Sequence, residues 1–339
     1  MSVFYVEQAS LRPLLRAILG GRKTYGVQTV EGHARLVPTA PEQVEIPVAR
    51  GVDPLKSLFF RPRQDVGRCF DDAAEVPSEP AAVVGATACD LAALNVLDEV
   101  FLGGDFVDPY YQARRDDTLL VSVDCTEPLE VCFCTFSGGK PYPQEGFDLN
   151  LSPIEDAWLI EVGSETGASL LEEQGGELTA ATQEQLRMRD SRRAAVDKKV
   201  AGMVSEAGLD GPDAARARIN EDGEDPLWDR LAEQCVECGA CNFVCPTCHC
   251  FLLVDLEESQ GFRRFRNWDA CLYQAFALEA SGANPRARRA ERLHGRLEKK
   301  FDFIKANFDV WGCVGCGRCI EACAGQLDIR ETLRDLVNA

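Results

Sequence analysis

Two stretches decide how this chain is read: Cys235-Val236-Glu237-Cys238-Gly239-Ala240-Cys241-Asn242-Phe243-Val244-Cys245-Pro246 and Cys313-Val314-Gly315-Cys316-Gly317-Arg318-Cys319-Ile320-Glu321-Ala322-Cys323-Ala324. Both carry four cysteines at the spacing Cys-x2-Cys-x2-Cys-x3-Cys. Three thiolates so closely set wrap one 4Fe–4S cube, and the fourth, displaced by a further turn, points toward a second cube. The reading gives Cys235, Cys238, Cys241 and Cys323 to one cluster, and Cys313, Cys316, Cys319 and Cys245 to the other. Small residues inside the runs, Gly239, Ala240, Gly315 and Gly317, let the backbone approach inorganic sulfide and aim N–H groups at it. A pair of zinc sites would rather use two separated cysteine pairs, and the doubled 2-2-3 spacing fits that poorly.

This is the ligand run of two-cluster bacterial ferredoxins, yet here a long insert separates Cys245 from Cys313. Within it Asp269 to Ala280 and Arg286 to Asn307 read as helices, the second with Leu293, Leu297, Phe301 and Ile304 near helical period. An α-helical dicluster domain is therefore expected rather than the small β-hairpin type. Residues 261–305 hold eleven Lys or Arg against five Asp or Glu in an otherwise acidic chain. The plain reading of that surplus is a solvated helix face, and the sharper one a docking face for an acidic partner.

Working outward, the 339 residues carry a net charge of −19, sixteen cysteines and three histidines. Such a length suggests about two domains and needs no disulfide staples. The negative balance argues against nucleic acid as the main partner. The first residues lack the basic region of a secretory signal, and the longest apolar candidate, Ala81 to Leu97, carries Asp90. No membrane span and a cytoplasmic location are expected, where thiols stay reduced and bind metal.

The N-terminal part reads as α/β. Short β-like runs at Phe4–Val6, Gly26–Val30 and Arg35–Val37 flank a helix at Leu11–Leu19. A βαβ pattern follows in Ala82–Ala86, Leu91–Leu97 and Leu119–Val123, with a later strand at Trp158–Val162. From Thr182 to Ala232 the pattern is polar and helical, and the boundary falls there. The fold class is thus α+β: an α/β domain over 1–205 and an α-helical ferredoxin-type domain over 206–339.

Cys89 and Cys125 each follow a strand, at the edge where α/β sheets place their sites, and Cys132-Phe133-Cys134 comes soon after. The four thiols Cys89, Cys125, Cys132 and Cys134 are expected to hold a third 4Fe–4S cluster, buried free cysteine being the alternative. Cys248, Cys250 and Cys271 read as packing beside a cluster, with a further metal as the other possibility, and Cys69 as structural. His33 and His294 are isolated. The chain has neither a Walker A motif nor a dinucleotide fingerprint, and no nucleophile–base constellation stands out.

Several segments resemble one family of electron-transfer subunits. They are Thr87-Ala88-Cys89-Asp90-Leu91-Ala92-Ala93-Leu94, Asp108-Pro109-Tyr110-Tyr111, Asp124-Cys125-Thr126-Glu127-Pro128 and Cys132-Phe133-Cys134-Thr135. Cys245-Pro246-Thr247-Cys248-His249-Cys250 and Trp268-Asp269-Ala270-Cys271 complete the set. The family is that of the sulfhydrogenase β subunit and the anaerobic sulfite reductase A subunit, and the likeness runs from about Arg50 to the end. Ala324 departs from the proline usual after the last cysteine, a residue that mainly starts the next helix. The resemblance implies a soluble multi-subunit oxidoreductase of anaerobic metabolism. A flavoprotein partner carries FAD and binds NAD(P)H, another subunit holds the terminal centre, and the chain relays electrons with no catalytic residues of its own. Two rivals stand beside it: a freestanding ferredoxin-like carrier, and an enzyme with a substrate or flavin site in the N-terminal crevice.

Overall fold

The computed structural model describes residues 2–68, 76, 79–174, 178–221, 223, 225–259 and 261–339; Cys69 lies outside them. Its eleven described strands are β1 (Val3–Glu7), β2 (Lys23–Val30), β3 (His33–Pro38), β4 (Arg63–Arg68), β5 (Ala81–Ala86), β6 (Thr118–Val123), β7 (Leu149–Ile154), β8 (Ala157–Val162), β9 (Thr179–Ala180), β10 (Phe251–Glu258) and β11 (Gly261–Trp268). Eight form one mixed sheet in the order β3-β2-β5-β6-β7-β8-β1-β9, and β10-β11-β4 form a second. Strands β2, β5, β6 and β7 run parallel, and β5 and β6 are almost entirely buried, as apolar runs such as Ala81–Ala86 require. The helix Gln8–Leu19 covers one face of the large sheet through Leu11, Leu14, Leu15 and Ile18, and Ala88–Phe101 covers the other through Leu91, Leu94 and Leu97.

The C-terminal part departs from the all-helical expectation. Its insert opens with the hairpin β10–β11, and β11 also pairs with β4 from the N-terminal part. The residues justify it: Phe251-Leu252-Leu253-Val254 and Phe262, Phe265 and Trp268 suit strands, and Arg264 pairs with its cross-strand neighbour Asp255 at 2.7 Å. The expected helix Asp269–Ala280 is a series of turns. Its carbonyls are claimed by side chains, Leu272 O by Arg292 Nε at 3.1 Å and Gln274 O by Asn284 Nδ2 at 2.8 Å. The second expected helix is present over Arg289–Glu298 and Ile304–Phe308, joined by a π-turn at Lys299–Phe303.

The basic surplus of the insert is largely taken up inside the molecule. Arg266 pairs with Asp108, Arg263 with Asp65, Arg292 with Glu237 and Lys305 with Asp309. Arg264, Arg288 and Arg289 remain exposed, so part of the surplus does lie on a solvated face.

The two parts interlock. Phe133 N donates to Gly315 O at 2.8 Å. A Cβ on Gly315 or on Gly317 would stand 2.3 Å from the carbonyl oxygen of Phe133 or of Val131, respectively. Both glycines have positive φ, so side chains are excluded twice over. Arg318, 2 % exposed, donates to Asp90 Oδ1 at 2.7 Å and to Gly51 O at 3.0 Å. Removing one partner of such a pair strands a charge in the interior. Asp90→Ala should therefore lower the unfolding free energy by about 3–5 kcal/mol, and adding Arg318→Met should recover much of it. Anaerobic denaturant unfolding of the cluster-loaded protein measures both.

Candidate metal centres

The cysteines do not draw together to a point. Among the described residues no three His, Cys, Asp or Glu side chains converge tightly enough for a single metal ion. They line three cavities instead. The first is bounded by Cys235, Cys241, Cys319 and Cys323 within an apolar jacket of Leu272, Leu293, Leu297, Leu327 and Ile329. Cys241 lies on the short helix Ala240–Phe243, which Gly239 opens with φ +72°. Leu327 N donates to Cys323 Sγ at 3.2 Å, the kind of bond that tunes a cluster. Cys238 is exposed at this end and interacts with Cys235.

The second cavity is lined by Cys245, Cys313, Cys316 and Cys319, with Phe133 reaching in from the N-terminal part. The third is lined by Cys89, Cys125, Cys132 and Cys134. Cys89 sits in the first turn of Ala88–Phe101, where helix N–H groups favour negative charge, and Cys125 follows β6. Neighbouring cavities share walls: Cys319 and Arg296 border the first and second, Cys316 the second and third.

A larger open cleft, about 1400 Å³ with part of it open to solvent, runs along the helix Ala88–Phe101 and the loop that follows Cys134. Cys89 and Cys134 of the third cavity and Cys313 of the second form part of its wall, together with Lys140, Tyr142 and Trp311.

Burial pushes these thiols up, to about 12 for Cys134 and Cys313 and higher still for Cys125 and Cys319. As bare thiols they would be neutral at ordinary pH, whereas iron takes them as thiolates. Cys245 is held low instead, by a hydrogen bond with Cys248 and by Lys300, Arg296 and Lys56. These cations are the functional residues that sequence reading missed. Lys56 Nζ donates to the carbonyls of Asn242 and Cys248 at 3.0 Å, Lys300 to Thr247 Oγ1 and Arg296 to Cys241 O, with no carboxylate among the described residues bonded to any of them. All three are at most 5 % exposed. Their signal was present: Arg292, Arg296 and Lys300 recur every fourth residue, on the face that buries Leu293 and Leu297.

The donor set fits clusters on a further observation. Arg296 Nε, Arg318 Nη1, Thr135 Oγ1 and Ser137 Oγ are buried without a hydrogen-bond partner among the described residues. Each belongs to a residue beside cavity cysteines, and sulfides carried there would accept from them.

The family described as "4Fe-4S dicluster domain" matches residues 234–327. The chain is 32% identical over 304 residues to "Sulfhydrogenase 2 subunit beta" of Pyrococcus furiosus, covering 87% of this chain and 86% of that one.

Arg296, at the border of two cavities, gives the site a direct test. A buried positive charge stabilises the reduced, more negative state of whatever the cysteines hold. Arg296→Met should lower the reduction potentials of both neighbouring centres, by about 59 mV for each ~1.4 kcal/mol of interaction removed. Spectroscopic redox titration of the folded variant checks the sign.

Proposed function

Because the chain belongs to the family of the sulfhydrogenase β subunit, we propose that it is an iron–sulfur electron-transfer subunit working between a flavoprotein that binds FAD and NAD(P)H and a subunit holding a terminal redox centre. Cys235, Cys238, Cys241 and Cys323 hold one 4Fe–4S cluster; Cys313, Cys316, Cys319 and Cys245 hold a second; Cys89, Cys125, Cys132 and Cys134 hold a third. When bound, the clusters supply one-electron storage at potentials set by charge, hydrogen bonding and exposure. The chain's own contribution is position, through thiolates, buried cations and N–H donors.

The single observation that carries this reading is the row of three cysteine-lined cavities with shared walls. Adjacent centres would touch through Cys319 and Cys316, giving a continuous path. One end comes to the surface at exposed Cys238, and the other meets the open cleft at Cys89 and Cys134. A path open at both ends suits a relay between two other proteins. Attachment to other subunits is supported by β10, an edge strand with Phe251, Leu252, Leu253 and Leu256 exposed. No helix among the described residues is long and apolar enough to cross a membrane, in keeping with a cytoplasmic complex.

The cleft favours a second reading, in which a small redox molecule binds there and the chain is itself an enzyme. Reduction separates the two. On the relay reading the purified chain is not bleached by NADH or NADPH until a flavoprotein subunit is added. Bleaching of the chain alone, with a bound chromophore beyond iron–sulfur absorption, would establish the second reading. For the third cluster, Cys132→Ser with Cys134→Ser should lower iron and acid-labile sulfide by about four each per chain, leaving the ferredoxin-type EPR signals in place. An unchanged count in the folded variant removes that cluster.

A further inference from the structure

Three buried cysteines stand outside the three cavities: Cys248 and Cys250, which flank His249, and Cys271 beyond the hairpin. The hairpin β10–β11 carries the chain away from Cys250 and back, and Asp269 N closes its base on Cys250 O at 3.0 Å. Residues distant in sequence thus bring three thiols to one place.

Their surroundings differ from those of packing cysteines. None of the three belongs to the apolar clusters that make up the core. Their sulfurs are met by polar hydrogens. Asn242 Nδ2, on a side chain 1 % exposed, lies 3.0 Å from Cys271 Sγ and 3.9 Å from Cys248 Sγ. Lys299 Nζ lies 3.8 Å from Cys250 Sγ, brought there by the π-turn that also turns Lys300 inward. Lys56 Nζ, 4.2 Å above the Trp268 ring, is fixed to the carbonyl of Cys248. The sulfurs also bond one another, Cys271 to Cys250 and Cys248 to Cys245, so donors and cations gather here around sulfur that can carry charge. Packing, the reading favoured from sequence, agrees with the burial of all three and gives the cations no role of their own.

We propose that Cys248, Cys250 and Cys271 hold a further iron–sulfur centre, a cubane bound by three cysteines, with Asn242 and Lys299 donating to its sulfur. Cys245, the thiol next to Cys248, lines the second cavity, so three cysteines are what this place offers. One iron is left to a ligand other than cysteine.

The test uses the full chain, reconstituted anaerobically with iron and sulfide. Cys250→Ser with Cys271→Ser should remove about four iron and four sulfide per chain, with the ferredoxin-type EPR signals retained. The loss should add to that of the Cys132→Ser and Cys134→Ser variant, so the two assignments fail separately. A folded variant with an unchanged iron count overturns the proposal. Should the variant not fold, the wild type decides. A cubane with one iron not held by cysteine yields that iron first on mild oxidation: [4Fe–4S]2+ gives [3Fe–4S]+ and Fe2+, ferricyanide taking the electron. One Fe2+ per chain should be trapped by a ferrous chelator, with a three-iron EPR signal appearing before general cluster loss. Absence of that early Fe2+ overturns the proposal.

Discussion

Uncompensated positive charge in the interior is the constraint on which the rest of this structure depends. Lys56, Arg296 and Lys300 are buried, bonded to carbonyls or a hydroxyl, and have no carboxylate partner among the described residues. An isolated buried ammonium or guanidinium costs several kcal/mol even after relaxation. The countercharge has to come from sulfur, because sulfur is what faces them. Arg318 makes the contrast: its partner is the buried carboxylate of Asp90, and its task is to join the two parts of the chain.

From that constraint follows the layout of the sites. The helix beginning at Arg289 presents Arg296 to the first and second cavities, and its π-turn directs Lys299 and Lys300 toward the segment 245–250. A regular α-helix would set these successive lysines about 100° apart; the wider turn rotates their bearing, a device often found at functional sites. The glycines of the second cysteine run serve the same arrangement from the other side, since they admit the backbone of Val131 and Phe133. Metal ligation, charge and interdomain packing are thus one problem solved by the same few residues.

Much of this was legible in the sequence. The doubled cysteine spacing is a geometric statement, and the apolar runs at Ala82–Ala86 and Leu119–Val123 are buried parallel strands because nothing in them tolerates water. What escaped was non-local. Strand β4 reads Arg63-Gln64-Asp65-Val66-Gly67-Arg68, polar enough to pass for a loop, and becomes a strand only because β11 comes to it from some two hundred residues away. The stretch from Asp269 looked helical because local pattern cannot foresee that Arg292 and Asn284 bind its carbonyls. Likewise the basic surplus of the insert looked external, since its acidic partners Asp65 and Asp108 lie far back in the chain.

The interlock of the two parts also sets an order of biogenesis. Ribosomes release Cys89, Cys125, Cys132 and Cys134 well before Cys316 and Gly315, which form the opposite wall of the same cavity, have been made. Until the last thirty or so residues emerge, that wall is missing and the four thiols stay open to solvent, oxidants and competing metals. On the function proposed above, a cluster at these four thiols would be closed in only once the C-terminus had been made. A prematurely terminated chain would keep its large sheet and present a group of unguarded thiols to the cell's quality control.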